Sequence, residues 1–155
     1  MKQTDKAVTD IRAICDILSR CDVIRVGMNA DGYPYVIPLT FGAELKDDKI
    51  IIYFHSAGTG RKWQLLAEDP RVSVEADLYY RTVRTRTGGV TACYESVIGT
   101  GMAERIEGHA EKLAAMKSIL DHYKQSGFPV ESCAGMSRVE VFRVVLTQVS
   151  GKRNL

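Results

Sequence analysis

The chain is poor in the residues that announce a metal or a disulfide framework. Its four cysteines, Cys15, Cys21, Cys93 and Cys133, form no CxxC pair and have no zinc-like spacing with the three histidines. No metal site is expected, and the cysteines read as free thiols of a reducing compartment. Long apolar runs are also absent, and nothing approaches the roughly 18 residues needed to span a bilayer. The start, "MKQTDKAVTDIRAICD", alternates charge with apolar residues and lacks the apolar core of a signal peptide. No membrane partner is expected, and the location should be cytoplasmic. A charge of one sign is missing too: the formal net charge is +2, with the basic residues spread out apart from "RTVRTRTGG" at 81–89. A nucleic-acid partner is therefore not expected. Neither a GxSxG elbow, a Walker loop, a GxGxxG fingerprint nor an HExxH helix occurs. Whatever chemistry occurs must come largely from a bound cofactor.

What is present reads as one domain, residues 1–155, long enough to bury a core. Residues 5–21 have the spacing of an amphipathic helix, with Val8, Ile11, Ile14, Cys15 and Leu18 on one face. "VIRVGM" (23–28) and "YPYVIPLTF" (33–41) are β-type runs joined through Asp31-Gly32, a hairpin signal. Pro34 and Pro38 both lack an N–H, so the second strand should leave part of its backbone unpaired. A turn at "ELKDDK" leads to a buried strand at 50–55, then a short helix over 61–70 ended by Pro70. Residues 71–80 alternate with period two, and 90–106 form a long β-prone stretch that Gly99 and Gly101 would let bend. A helix from His109 places Leu113, Met116, Leu120 and Tyr123 on one stripe, with Gly127 as its stop, and a last strand covers 137–152. Strands joined mainly by hairpins imply an antiparallel sheet. In a chain of this size it closes most economically as a small Greek-key barrel with helices at its ends, an α+β fold.

The stretch "YFHSAGTGRK" (53–62) carries the clearest chemical signal. A strand ends at His55, a loop poor in side chains follows, and Arg61 and Lys62 open a helix. Two cations at a helix start oppose the helix dipole unless an anion lies between them. Arginine offers a planar fork and lysine a mobile point charge, a pair suited to a phosphate. The competing account is a solvated basic helix start. Elsewhere, His109 and His122 read as exposed, Trp63 as a core or interface residue, and Met102 and Met136 as packing residues. "RTVRTRTGG" reads as a solvated hairpin, with docking of an anionic substrate or a nicotinamide phosphate as the alternative.

Three blocks, "DGYPYVIPLTFG", "IIYFHSAGTGRKWQLLAEDPRVSVEAD" and "CYESVIGTGMAERI", in this order and spacing, resemble the pyridoxamine 5′-phosphate oxidase-like flavin proteins. Within that family the chain is most similar to the nitroimidazole-resistance (Nim) branch, from about residue 10 to the closing "SGKR". The resemblance implies a split β-barrel homodimer with FMN at the subunit interface. It implies that Val36, Ile37, Pro38 and Leu39 run along the flavin ring and that His55 and Ser56 border it. Gly60, Arg61 and Lys62 would grip the phosphate, with glycine where the family has serine. Tyr94 and Ser96 would meet the flavin from a second side. The implied activity is that of an FMN-dependent oxidoreductase moving electrons from NADH or NADPH to a small-molecule acceptor, nitroimidazoles or other nitroaromatics among them. His55 is the candidate catalytic residue, since its near-neutral pKa suits proton donation. The terminal Arg-containing substrate motif of the true pyridoxamine phosphate oxidases is missing, the chain ending in "SGKRNL", so pyridoxamine phosphate is not the expected substrate. The rivals are a flavin-storage protein without a substrate, and a haem protein on the same fold with His55 as axial ligand.

Overall fold

The computed structural model describes residues 4–155. Residues 1–3, where the stretch read as lacking a signal peptide begins, lie outside them. Eight strands are present among the described residues: β1 (Ala7–Val8), β2 (Ile24–Met28), β3 (Tyr35–Leu39), β4 (Phe41–Lys46), β5 (Lys49–Ala57), β6 (Arg71–Arg84), β7 (Val90–Arg105) and β8 (Val139–Asn154). The helices are α1 (Ile11–Arg20), α2 (Arg61–Glu68) and α3 (His109–His122). All strand pairs are antiparallel, in the order β3-β2-β6-β7-β8-β5-β4, with β1 added to β8. Strands β3 and β4 end this order, yet only Thr40 separates them in the chain. The sheet must therefore curl until its ends meet at that residue. The product is an α+β split barrel.

Period-two alternation sends Val72, Val74 and Ala76 of β6 and Val97 and Ala103 of β7 inward, where they join Phe41, Ile50, Ile52, Phe54 and Val144. Helix α1 adds Ile14, Ile17 and Leu18 to the same core. The outer face of the sheet is covered in part by α3, through a smaller cluster of Ile106, Ala115 and Val141. No helix among the described residues is long and apolar enough to cross a membrane.

Several boundaries differ from expectation, each for a physical reason. The first helix begins at Ile11 rather than residue 5, because the Asp10 side chain caps it by accepting from the Arg12 N–H at 3.1 Å. Ala7 and Val8 instead pair with Lys152 and Gly151, where β8 runs on past the end of β5. The single strand expected over 33–41 is two strands broken at Thr40, the corner of the barrel. Glu44–Lys46 belong to β4, and the turn shrinks to Asp47 and Asp48, both at positive φ. Helix α3 stops at His122 without Gly127; Lys124, at φ 59°, turns the chain while the Gln125 N–H donates to the Leu120 carbonyl. Its most buried residues are Ala115 and Ile119, and the expected stripe of Leu113, Met116, Leu120 and Tyr123 is only half-buried. The bend in β7 occurs as expected. The β7–β8 register shifts between Thr100 and Gly101, and a Cβ on Gly101 would lie 2.5 Å from the Val145 carbonyl oxygen.

Candidate functional site

Helix α2 starts directly after the loop that follows β5. Gly60 is its N-cap residue, with φ 97° and no side-chain cap, and the space where a Cβ would project holds nothing within 4 Å. The first-turn N–H groups of a helix have no intrahelical partners, so this end is open to an acceptor. Arg61 is exposed and lies over the Tyr35 ring at 5.2 Å, tying the helix to the start of β3. Lys62 is half-buried, its Nζ 3.3 Å from the His55 carbonyl oxygen and 5.9 Å from the centre of the Phe54 ring. Burial lowers its pKa. Neither cation forms a salt bridge among the described residues. Two cations thus stand at an uncapped helix start without a counter-ion.

The alternation along β5 turns Phe54 and Ser56 to the inner face and His55 to the outer one. The His55 Nδ1 is buried with no hydrogen-bond partner. Burial, then the nearby Lys62 charge, holds its imidazole below the ordinary histidine value. The Ser56 hydroxyl is buried and donates to the Ala57 carbonyl at 2.8 Å. Strand β3 pairs only with β2, which matches the proline-based expectation of an under-paired strand. Tyr35, Ile37 and Leu39 pack on the core, while Val36 and Pro38 face outward.

The fold thus gathers Val36–Leu39, His55 and Gly60–Lys62 near one end of the barrel. It does not bring Tyr94 and Ser96 there within a single chain. His55 is in register with Val141 near the start of the 16-residue β8, whereas Tyr94 pairs with Asn154 and Ser96 with Lys152 near its end. Both are on the outer face of β7, with the Lys152 Nζ 5.8 Å from the centre of the Tyr94 ring. The same outer face carries a groove of about 680 Å³ lined by residues including Pro34, Val36, Ser73, Met102 and Thr147. Val36, Ile98 and Met102 are each more than half exposed on it. Met102 is therefore a surface residue and not the packing residue expected, whereas Met136 is buried.

His122 also departs from expectation. It is half-buried between Phe41 and Tyr123, its Nε2 2.8 Å from the Cys21 carbonyl oxygen, while His109 is exposed. Trp63 packs edge-on against Phe142, consistent with a core residue. One cluster escaped sequence reasoning. Glu95, 2% exposed, accepts hydrogen bonds from Arg20, Tyr80 and Arg153. The signal was present: period-two alternation in "CYESV" places Glu95 on the inward side with Cys93 and Val97.

A family profile described as pyridoxamine 5′-phosphate oxidase matches residues 10–153. No curated protein matches the sequence. Among solved structures, a protein ascribed to 5-nitroimidazole antibiotic resistance in Bacteroides thetaiotaomicron is 30% identical, over 94% of this chain and 85% of that chain, with a TM-score of 0.82. The flavocytochrome Anf3 of Azotobacter vinelandii is 20% identical, over 100% of this chain and 72% of that one, at 0.80. An FAD-binding protein of Mycobacterium smegmatis is also 20% identical, over 95% and 96%, at 0.66. The profile match and the Bacteroides relative agree with the split barrel described above, and this chain belongs to the pyridoxamine 5′-phosphate oxidase family.

Proposed function

We propose that this protein is an FMN-dependent oxidoreductase that works as a homodimer. The observation that carries the reading is the uncapped start of α2, where Gly60, Arg61 and Lys62 stand together without a counter-ion. A terminal phosphate fits that place: open backbone N–H groups, a planar guanidinium and a half-buried ammonium group all favour it. The underpaired β3 edge supplies backbone donors and acceptors for the polar rim of a flavin, and the orphaned His55 Nδ1 marks a polar group awaiting a partner. The flavin-binding relatives share the fold, which supports a flavin; the paired cations at an uncapped helix start favour a terminal phosphate, as FMN carries.

Bound there, FMN would supply hydride acceptance from a reduced nicotinamide and electron delivery to an acceptor. The chain's own residues do the rest. Arg61 and Lys62 hold the phosphate, and Val36–Leu39 orient the ring through their backbone. Tyr94 and Ser96 are too far along β7 to join them, so a second copy of the chain supplies these two. His55, whose imidazole is held below the ordinary histidine value by burial and then by the Lys62 charge, acts as a hydrogen-bonding group toward the acceptor. A nitroaromatic acceptor is the reading that the 5-nitroimidazole-resistance relative supports.

The test is the visible spectrum of the purified protein, its bleaching by NADH or NADPH, and single-turnover reoxidation by a nitroaromatic. Heat-released chromophore should co-elute with FMN, and His55→Ala should retain it while reoxidising about 10²-fold more slowly. A Soret band, or failure to bind added FMN, would refute the cofactor. Equal reoxidation rates in wild type and His55→Ala would remove His55 from the mechanism.

A further inference from the structure

The far end of β7 and β8 holds a second cavity, of about 460 Å³, lined by Arg20, Tyr80, Arg81, Cys93, Glu95, Arg153 and Leu155. Its volume falls within the range usual for small-molecule sites. The way it is built sets it apart from a solvated crease. Beyond Tyr94 the β6–β7 pair runs on as a two-stranded ribbon, since β2 pairs with β6 only over Val72–Glu75 and β8 reaches β7 no farther than Tyr94. At its base the register shifts between Tyr79 and Arg81, leaving Tyr80 as the extra residue. Bulges of this kind redirect a side chain, and here the Tyr80 hydroxyl donates to Glu95 beneath the ribbon.

Glu95 is the keystone of the cavity floor. Its carboxylate accepts from Arg20 Nη1 at 2.6 Å and from Arg153 Nε, so both guanidinium groups are held in place. Arg20 is further committed to Asp16 at 3.1 Å and to the Tyr80 oxygen at 2.7 Å. Among the described residues, neither terminal nitrogen of Arg153 has a protein acceptor, and the Arg81 side chain makes no hydrogen bond or ion pair, although its backbone pairs with Cys93. Three guanidinium groups therefore line one cavity against a single buried carboxylate. Two of them still offer donors.

We propose that this cavity is a binding site for a small organic oxyanion, a carboxylate or phosphate ester carried on a compact apolar body. Arg81 and the free end of Arg153 take the oxyanion as planar forks. The Tyr80 ring and buried Cys93 offer the apolar wall. Within one chain the cavity lies apart from the cradle at Lys62, which is toward the opposite end of β8.

Isothermal titration calorimetry on the protein as purified tests this, with phenyl phosphate and benzoate as separate probes and benzyl alcohol as the neutral control. At least one anion should bind and benzyl alcohol should not; which anion binds identifies the class. Arg81→Ala should weaken binding by about tenfold or more, and Arg81→Lys by less. The Arg81 side chain is exposed and unpaired, so both variants should keep the wild-type melting temperature. Lys49→Ala, which removes an exposed cation at the start of β5 outside the cavity, should leave the affinity unchanged. The proposal is overturned if neither anion binds at millimolar concentration, if Arg81→Ala binds as wild type does, or if the loss follows Lys49→Ala instead.

Discussion

Glu95 shows how much one residue can organise. Its carboxyl is pushed down to about 2, chiefly by the Arg20 hydrogen bond, with Tyr80 and Arg153 adding to it against the opposing effect of burial. A carboxyl lowered in the folded state stabilises that state fully above its ordinary value of 4.5, and the contribution is lost as pH falls toward about 2. Removing one partner from a buried ion pair costs about 3–5 kcal/mol. Arg20 and Arg153 keep 38% of their side-chain surface in water, so Glu95→Gln should cost less, about 2–3 kcal/mol at pH 7. Urea denaturation of both proteins between pH 7 and pH 2 checks this: the gap should close through the acid window. Parallel curves would assign the acid sensitivity to other carboxylates. Inward placement of Glu95 was legible in strand alternation. Its partners were not, because Arg20 and Arg153 come from elements 75 and 58 positions away.

At the scale of elements, α2 is where local pattern and chemistry agree best. The sequence marked its start through Gly60, Arg61 and Lys62, and the structure keeps that start uncapped. Lys62 has a 3.3 Å contact with the His55 carbonyl and a 5.9 Å approach to the Phe54 ring to give up on meeting an anion. Charge-assisted hydrogen bonds contribute about 1.5–3 kcal/mol each, so Lys62→Ala should weaken FMN binding roughly ten- to a hundred-fold. Riboflavin, which has no phosphate, should lose far less. Fluorescence titration with both flavins separates the cases, and equal losses would mean that Lys62 acts through folding. Other element boundaries were less legible. Nothing local marks Thr40 as a break between strands, since the corner exists only where the two ends of the sheet meet.

Residues that the family resemblance assigns to one cofactor are split between the two ends of β8, and the outer face between them exposes Val36, Ile98 and Met102. A second copy placed across that face would both cover the apolar patch and bring its own Tyr94 and Ser96 toward the first copy's cradle. Light scattering at micromolar concentration should give twice the 17.2 kDa chain mass. Ile98→Asp should shift the mass toward one chain and weaken flavin retention with it. A monomer that holds flavin as tightly as the wild type would refute the shared site.

The sequence by itself determined the antiparallel class, the hairpin at Asp31-Gly32, the bend at Gly99 and Gly101 and the cationic loop behind His55. Each of these depends on neighbours in the chain: side-chain period, backbone freedom at glycine, the missing N–H of proline. Tertiary structure alone decided that Ala7 and Val8 complete β8 instead of extending a helix, and that His122 is drawn between Phe41 and Tyr123. It also placed Arg81 and Arg153 around one cavity and kept Tyr94 apart from Lys62. Those outcomes depend on how far each strand runs past its partner and on which edges remain to be filled. Such lengths are set by the closing of the whole sheet, and no local stretch of residues encodes them.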